Sequence, residues 1–225
     1  MKVLVKSSLL LAILHAAPAS AEPATGSRID TAPRSVSTHD IESDNAAVRV
    51  MNKFARCVAN RDRTKTAALL AMPYLSPEQT KSIYAFFDRD DACLGIGDRE
   101  LRFKPPVVLG GLAEGLIFKT YKKIDVARFA GMTDETMDAA GLAPRNVWED
   151  FGQCLVRRDP ALAFDLMEST PASPGETAAV GKLKPHLGLC LIEGNTLNLT
   201  PMAIRSIVAV GLHRMLTASS AGRGS

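Results

Sequence analysis

The chain has 225 residues, of which 46% are hydrophobic and 23% charged, a composition typical of globular proteins and unlike collagen-like or fully disordered chains. Its 27 Lys and Arg and 24 Asp and Glu give a net charge of +3. Two of the lysines, Lys2 and Lys6, belong to a predicted leader, so the mature chain carries 25 basic and 24 acidic residues. Such a nearly neutral chain gives no electrostatic reason to expect nucleic acid or an anionic membrane as a partner.

Residues 1–21 have the organisation of a secretory signal peptide. A basic start precedes an apolar run at 7–17 and an Ala-Ser-Ala site at 19–21, which predicts cleavage between Ala21 and Glu22. The apolar run is too short to span a membrane, and no later run reaches spanning length. We therefore expect an exported protein, periplasmic or secreted, with no transmembrane segment in the mature chain.

The mature chain is predicted to contain two helical units. Residues 22–43 are rich in Ser, Thr, Pro and charge without an apolar period, which predicts a flexible arm. The units are expected at 44–121 and 144–217, joined by a charged connector at 122–143 and followed by a disordered tail at 218–225.

These units are copies of one another. The cysteines at 57, 93, 154 and 190 form two pairs with the same interval of 36 residues, and the pairs are 97 residues apart. A shift of 97 makes 12 of the 48 residue pairs from Val50 to Gly97 identical. The identical pairs include Phe54/Phe151, Arg61-Asp62/Arg158-Asp159 and Ser76-Pro77/Ser173-Pro174. Beyond them, a shift of 96 aligns Leu101–Pro105 with Leu197–Pro201, so the chain contains an internal repeat.

Each unit is predicted to form about four helices. Val50, Phe54, Cys57 and Val58 lie on one helical stripe, and the second copy repeats it. Asp62 and Asp159 are typical N-caps of a second helix. Ser76 and Ser173 begin Ser-Pro-x-Gln/Glu capping boxes, which open a third helix that runs to the second cysteine of each unit.

The fourth helices are expected to follow Pro105 and Pro201 and to end near Lys119 and Leu216. A short helix near Asp134–Ala140 is expected in the connector. No alternating strand pattern is present. The predicted fold class is all-α, with two tandem disulfide-closed helical units packed as helical bundles.

Four cysteines in an exported chain favour disulfides over free thiols, with three connectivities possible. The repeat favours Cys57–Cys93 and Cys154–Cys190, because each ancestral unit would then have closed on itself. A zinc site or a redox-active dithiol is disfavoured, because the sequence contains no C-x-x-C motif.

Motifs of catalysis are absent from the sequence: it has no P-loop, no G-x-S-x-G and no H-E-x-x-H. His186 and His213 are interpreted as ordinary surface or edge histidines. We therefore assign no catalytic residue, metal ligand or cofactor.

The best candidate for a polar site shared by both units is the Arg-Asp dipeptide at Arg61-Asp62 and Arg158-Asp159. Its favoured interpretation is an N-cap aspartate beside a solvated arginine.

Glu114 is a further candidate, because it lies in an otherwise apolar predicted helix. Its counterpart in the second unit is Val210, so any role belongs to the first unit alone. Gly110, Gly111 and Gly115 of the same helix are interpreted as allowing two helices to approach closely.

The unit resembles that of small, uncharacterised exported bacterial proteins with a Cys-x35-Cys helical unit. The match covers Phe54–Leu116, and Phe151–Leu212 is a divergent copy that lacks the glutamate. The resemblance implies a helical fold and export, and no activity.

The favoured function is that of a non-enzymatic exported helical protein that binds a protein partner or a small ligand, with the site between its units. Two alternatives stay open: an enzyme with a site around Glu114, and an envelope scaffold that makes protein contacts.

Overall fold

The computed structural model describes residues 38–87, 93, 103–191 and 199–221. The predicted leader and most of the predicted arm lie outside these residues. In the described part of the chain no β-strand occurs, which confirms the all-α fold class.

The described residues form ten α-helices and one 3₁₀ turn. They are α1 (Thr38–Arg61), α2 (Arg63–Leu70), α3 (Pro77–Phe87), α4 (Pro105–Thr120), α5 (Lys123–Val126), the 3₁₀ turn Ala127–Phe129, α6 (Asp134–Ala139), α7 (Val147–Arg158), α8 (Pro160–Glu168), α9 (Pro174–Cys190) and α10 (Pro201–Ala221).

Three boundaries differ from the sequence prediction. Helix α1 begins at Thr38, within the predicted arm, because residues 38–43 contain neither proline nor glycine to stop it. Helix α10 continues to Ala221, into the predicted tail, and the next residue is Gly222, a common helix terminator. The connector holds α5 and the 3₁₀ turn in addition to the expected short helix α6.

The predicted helix caps are present in both repeats. Asp62 accepts a hydrogen bond from Lys65 N at 3.2 Å, and Asp159 accepts one from Leu162 N at 2.8 Å. The aspartate shared by the two Arg-Asp pairs is therefore the N-cap of α2 or α8, in agreement with the favoured interpretation.

Each predicted capping box, at α3 and at α9, forms only one of its two expected hydrogen bonds. Ser76 and Ser173 accept from the backbone N–H three residues on, at 3.1 and 3.2 Å. The return bond from Gln79 or Glu176 goes to the residue before the serine, to Leu75 N at 2.7 Å and Ala172 N at 2.9 Å. Both of these residues have positive φ, 57° and 51°.

The core is built on a row of four helices in the order α1, α4, α10, α7, each packed against the next. Helix α4 is buried all round from Val108 to Ile117, as expected of a sequence in which Glu114 is the one charged residue of this stretch. Helix α2 packs on α1 and α4 and α3 packs on α2, whereas α8 and α9 pack on α7 and α10.

The two repeats are related by a local two-fold axis that passes between α4 and α10. Gly110 and Ser206 are equivalent under the 96-residue shift, and a Cβ atom on Gly110 would lie 2.6 Å from the Ser206 Cα. Contact between equivalent positions is the signature of a two-fold interface. The outer pairs match as well, since a Cβ on Gly111 would meet Ala55 at 2.7 Å and one on Gly152 would meet Ile207 at 2.6 Å.

The disulfides are Cys57–Cys93 and Cys154–Cys190, with Cα–Cα distances of 5.8 and 5.6 Å, which confirms the predicted pairing. Each bond joins the first long helix of a repeat to a residue 36 positions later. No described helix combines the length and hydropathy that a membrane crossing demands.

His213 is not at the surface, contrary to the sequence prediction. It lies on α10 with 6% of its surface exposed, because this helix is covered on all sides by α4, α7, α8 and α9. Burial lowers the pKa of His213 to about 4. Arg145 and Arg214 line the same crevice.

Gly110→Ala is expected to lower the free energy of unfolding by about 1–3 kcal/mol, because the added methyl group would overlap the α10 backbone. Urea unfolding followed by circular dichroism measures it. Gly181→Ala is the control: nothing lies within 4 Å of its added Cβ, and the change should stabilise α9 by about 0.5–1 kcal/mol. Equal stability of the two variants would contradict the close α4–α10 packing.

His213 should make stability fall as the pH drops from 6.5 towards 4. The unfolded chain binds a proton in this window and the folded chain does not, so at pH 4 the loss approaches about 3 kcal/mol. Urea unfolding at a series of pH values should show that His213→Gln removes this part of the slope. An unchanged slope in the variant would show that His213 titrates normally.

Candidate functional site

Glu114 lies in a fully buried ion pair at the centre of the α4–α10 interface. Arg205 of α10 donates from Nε to its Oε1 at 2.6 Å and from Nη2 to its Oε2 at 3.1 Å. Asn52 Nδ2 of α1 donates to the same Oε2 at 3.1 Å. Both carboxylate oxygens are therefore bonded inside the protein, with the Glu114 residue 0% exposed.

Arg205 also holds the end of α8 in place. Its Nη1 donates to the carbonyl oxygens of Leu166 and Ser169 at 2.9 and 3.0 Å, and its Nη2 donates to that of Met167 at 2.6 Å. Glu176 Oε1 of α9 lies 3.2 Å from Nη1. A cation at the carbonyl end of a helix is favourable, and two carboxylates compensate its burial.

In the first repeat, the carbonyl that corresponds to that of Leu166 belongs to Leu69, and a neutral residue donates to it. Gln79, the counterpart of Glu176, donates from Nε2 to the carbonyl of Leu69 at 3.0 Å. A carboxylate at this position has no proton to donate, so in the second repeat Arg205 supplies the bond to Leu166. This explains why Glu114 occurs in one repeat only: its partner Arg205 is specific to the other.

An open cleft of about 430 Å³, which we call the basic cleft, lies beside this buried cluster. It separates one face of α1 from the 168–171 segment, and its lining residues are Arg49, Asn52, Lys53, Arg56, Glu168, Ser169, Thr170 and Pro171. Asn52 bonds to Glu114 and Ser169 bonds to Arg205, so the cleft floor adjoins the buried ion pair. Both repeats contribute lining residues to it.

Three cations line the basic cleft at helical spacing i, i+4 and i+7 on α1. Arg49 Nη1 donates to the Ala172 carbonyl at 3.2 Å. Arg56 lies with Cζ 4.5 Å from the Phe118 ring centroid and Nε 4.0 Å from Glu114 Oε2. Lys53 forms no salt bridge with any described residue.

The side chains that line the basic cleft carry a net positive charge. Burial lowers the pKa of Arg56, and the Glu114 carboxylate opposes that shift. Glu168 contributes the one carboxylate among the lining residues, and its charge also helps to raise the pKa of Lys123. The counterparts of the three cations in the other repeat are Asn146, Asp150 and Gln153, which are neutral or acidic.

At the equivalent place in the other half, a second ion-pair cluster joins the two walls. Glu149, the counterpart of Asn52, accepts from Tyr74 N at 2.9 Å and from Arg145 Nη2 at 2.6 Å, and Arg214 also donates to it. Burial alone would raise the pKa of Glu149, but these hydrogen bonds hold it below the usual value.

Arg145 also bonds to the opposite wall: its guanidinium group donates to the carbonyls of Ala71 and Met72 at 2.6 and 3.0 Å. The counterpart of Arg145 in the first repeat is Val48, which has no donor. In this half Arg145 therefore joins the two walls, and Asn146, Asp150 and Gln153 line a separate crevice of about 470 Å³. In the other half the basic cleft is bridged at its edge by the exposed bond from Arg49 to the Ala172 carbonyl.

The candidate site residues predicted from the sequence lie in different parts of the structure. Arg61 is exposed, with Nη1 4.0 Å from the Cys93 Sγ, and Arg158 lines a different crevice beside the Cys154–Cys190 disulfide. The hydrogen bonds of Glu114 go to Asn52 and Arg205, so the Arg-Asp pairs do not join it. Of the predicted residues, Glu114 alone adjoins the basic cleft.

Sequence reasoning missed Arg49, Lys53, Arg56 and Arg205. A signal for the first three is present, since the 97-residue shift pairs them with Asn146, Asp150 and Gln153. A charge difference between copies marks a position where the repeats have diverged.

In comparisons with protein-family models, curated proteins and solved structures, no match to the chain was found. The described residues also contain no group of three or more His, Cys, Asp and Glu that could hold a metal ion. Guanidinium and ammonium groups are hydrogen-bond donors only, so the basic cleft is suited to anions.

Replacing the buried charges by their counterparts tests the role of the ion pair. Arg205→Leu alone should cost about 3–5 kcal/mol, because it leaves Glu114 and Glu176 buried without their cation. Adding Glu114→Val and Glu176→Gln gives the residues of the other repeat and should recover most of that loss. Denaturant unfolding measures both variants, and a triple variant as unstable as the single one would contradict the assignment.

Proposed function

We propose that the protein binds an anionic small molecule in the basic cleft, non-covalently and outside the cytoplasm. The observation that carries this proposal is the asymmetry of the repeat. In one copy Arg145 and Glu149 join α7 to the 71–74 segment, and in the other the equivalent positions line an open cleft that carries three cations.

A charge count of the neighbourhood supports an anionic ligand. The buried carboxylates of Glu114 and Glu176 are offset by the guanidinium groups of Arg205 and Arg56. Arg49 and Lys53 then add two positive charges at the mouth of the basic cleft, against one carboxylate from Glu168. A concave surface with surplus charge of one sign concentrates ligands of the opposite sign.

The chemistry of the side chains favours a carboxylate or a phosphate. Arginine presents paired N–H donors that match these groups, and Arg56 is held in place by Phe118 beneath it. Lys53 adds a mobile point charge. The lining contains no cysteine or histidine to act as nucleophile or base, and Glu114 is closed off from solvent, so the geometry favours binding over catalysis.

The disulfides and the predicted leader support the exported location. Disulfides persist in oxidising compartments, and two are present. The predicted signal peptide and the resemblance to small exported bacterial proteins point to the same compartment.

Titration with inorganic phosphate tests the proposal. Amide NMR spectra of the oxidised protein, at constant ionic strength, should show saturable shifts at Arg49, Asn52, Lys53 and Arg56. Arg49→Gln with Lys53→Gln should weaken binding at least tenfold, which corresponds to about 1.4 kcal/mol.

The matched control is Lys182→Gln with Lys184→Gln, which removes the same charge from exposed positions on α9. This control should bind phosphate like the wild type. Equal weakening in both double variants would show a general charge effect and would contradict a site in the basic cleft.

A further inference from the structure

A second cleft continues from the basic cleft along α1. It has a volume of about 690 Å³, and we call it the apolar cleft after six of its lining residues: Val48, Ala172, Pro174, Ala178, Pro201 and Met202. Polar residues complete the lining: Asn45, Ser173, Glu176, Thr177 and Thr200. It begins where the basic cleft ends, since their linings use successive turns of α1 and successive residues of the 168–174 segment.

The boundary between the two clefts is the side chain of Arg49. Its Nη1 crosses from α1 to the Ala172 carbonyl, with a 3.2 Å bond that is exposed to solvent. An exposed hydrogen bond contributes little to stability, because water replaces it when it breaks. Arg49 can therefore turn towards an anion in the basic cleft and leave the two clefts continuous.

The wall of the apolar cleft carries one charged group, and that group is neutralised. Glu176 is 3% exposed, its Oε1 lies 3.2 Å from Arg205 Nη1, and its Oε2 accepts from Ala172 N at 2.9 Å. A ligand chain in this cleft would therefore meet little unpaired charge.

Two residues of the apolar lining are specific to this half of the molecule. The counterparts of Val48 and Ala178 in the other repeat are Arg145 and Lys81, both charged, whereas the other apolar lining residues have apolar counterparts. Divergence has thus removed two cations from this part of the groove and placed three on the next. Both volumes lie in the range of about 300–1,000 Å³ that is typical of ligand sites.

We infer that the ligand is an amphiphilic anion, with its phosphate or carboxylate headgroup at Arg49, Lys53 and Arg56 and a single apolar chain in the apolar cleft. This inference depends on the proposed function, since it assigns a ligand class to the same site. Charge complementarity fixes the orientation: the headgroup lies against α1 and the 168–171 segment, and the chain extends towards Met202.

Calorimetric titration of the oxidised protein with four probes below their micelle concentrations tests the inference. Octyl phosphate and octanoate carry headgroup and chain, inorganic phosphate lacks the chain, and octanol lacks the charge. Octyl phosphate is expected to bind with one molecule per chain, at least tenfold more tightly than inorganic phosphate and than octanol. Octanoate measures the preference between the two headgroups.

Ala178→Phe separates the two clefts, because it fills the apolar cleft at an exposed position of α9 without changing charge. It should remove the tenfold advantage of octyl phosphate and leave the affinity for inorganic phosphate unchanged. Ala178→Ser is the control and should bind both probes like the wild type.

The outcomes distinguish this inference from the proposed function. Equal affinities for octyl phosphate and inorganic phosphate would overturn the amphiphile and leave the anion site standing. Octanol binding as tightly as octyl phosphate, or no binding of any probe, would overturn both. An octyl phosphate advantage that survives Ala178→Phe would place the chain outside the apolar cleft and overturn the assignment.

Discussion

The guanidinium group of Arg205 joins the parts of the structure on which the candidate site depends. It lies at the α4–α10 interface, where it pairs with Glu114, and it also holds Glu176 and the carbonyl groups at the end of α8. A buried charge is costly unless it is fully bonded, and here every direction of the guanidinium meets an acceptor. Because Ser169 is one of these acceptors, Arg205 fixes the wall of the basic cleft from within.

Duplication explains how such a site arose beside a copy with different chemistry. Two equivalent units around a local two-fold axis present the same crevice twice, and each crevice can diverge through its own lining residues. In one crevice Arg145 and Glu149 bond to the 71–74 segment. In the other, Val48 and Asn52 make no such bond, and Asn52 instead donates to Glu114. The ion pair and the open cleft are therefore parts of the same divergence.

Local signals predicted most of the fold. Capping residues, prolines and the 97-residue shift identify the main helices, and the cysteine interval identifies both disulfides. These local signals could not predict the candidate site, because its contacts join residues that are distant in sequence. Glu114 and Arg205 are 91 positions apart and meet only across the two-fold axis. His213 was misassigned for the same reason. Its local sequence is compatible with a surface helix, and only the packing of α10 buries it.

The arrangement also determines how much of the molecule must move when a ligand binds. Helix α1 is tied through the Cys57–Cys93 disulfide and packs closely on α4, where a Cβ on Gly115 would meet Ala59 at 2.7 Å. The facing wall is tied through Arg205. Both walls are thus held before binding, and the side chain of Arg49 is the group that must turn. Because little backbone has to be ordered, the entropic cost of binding that falls on the protein is small.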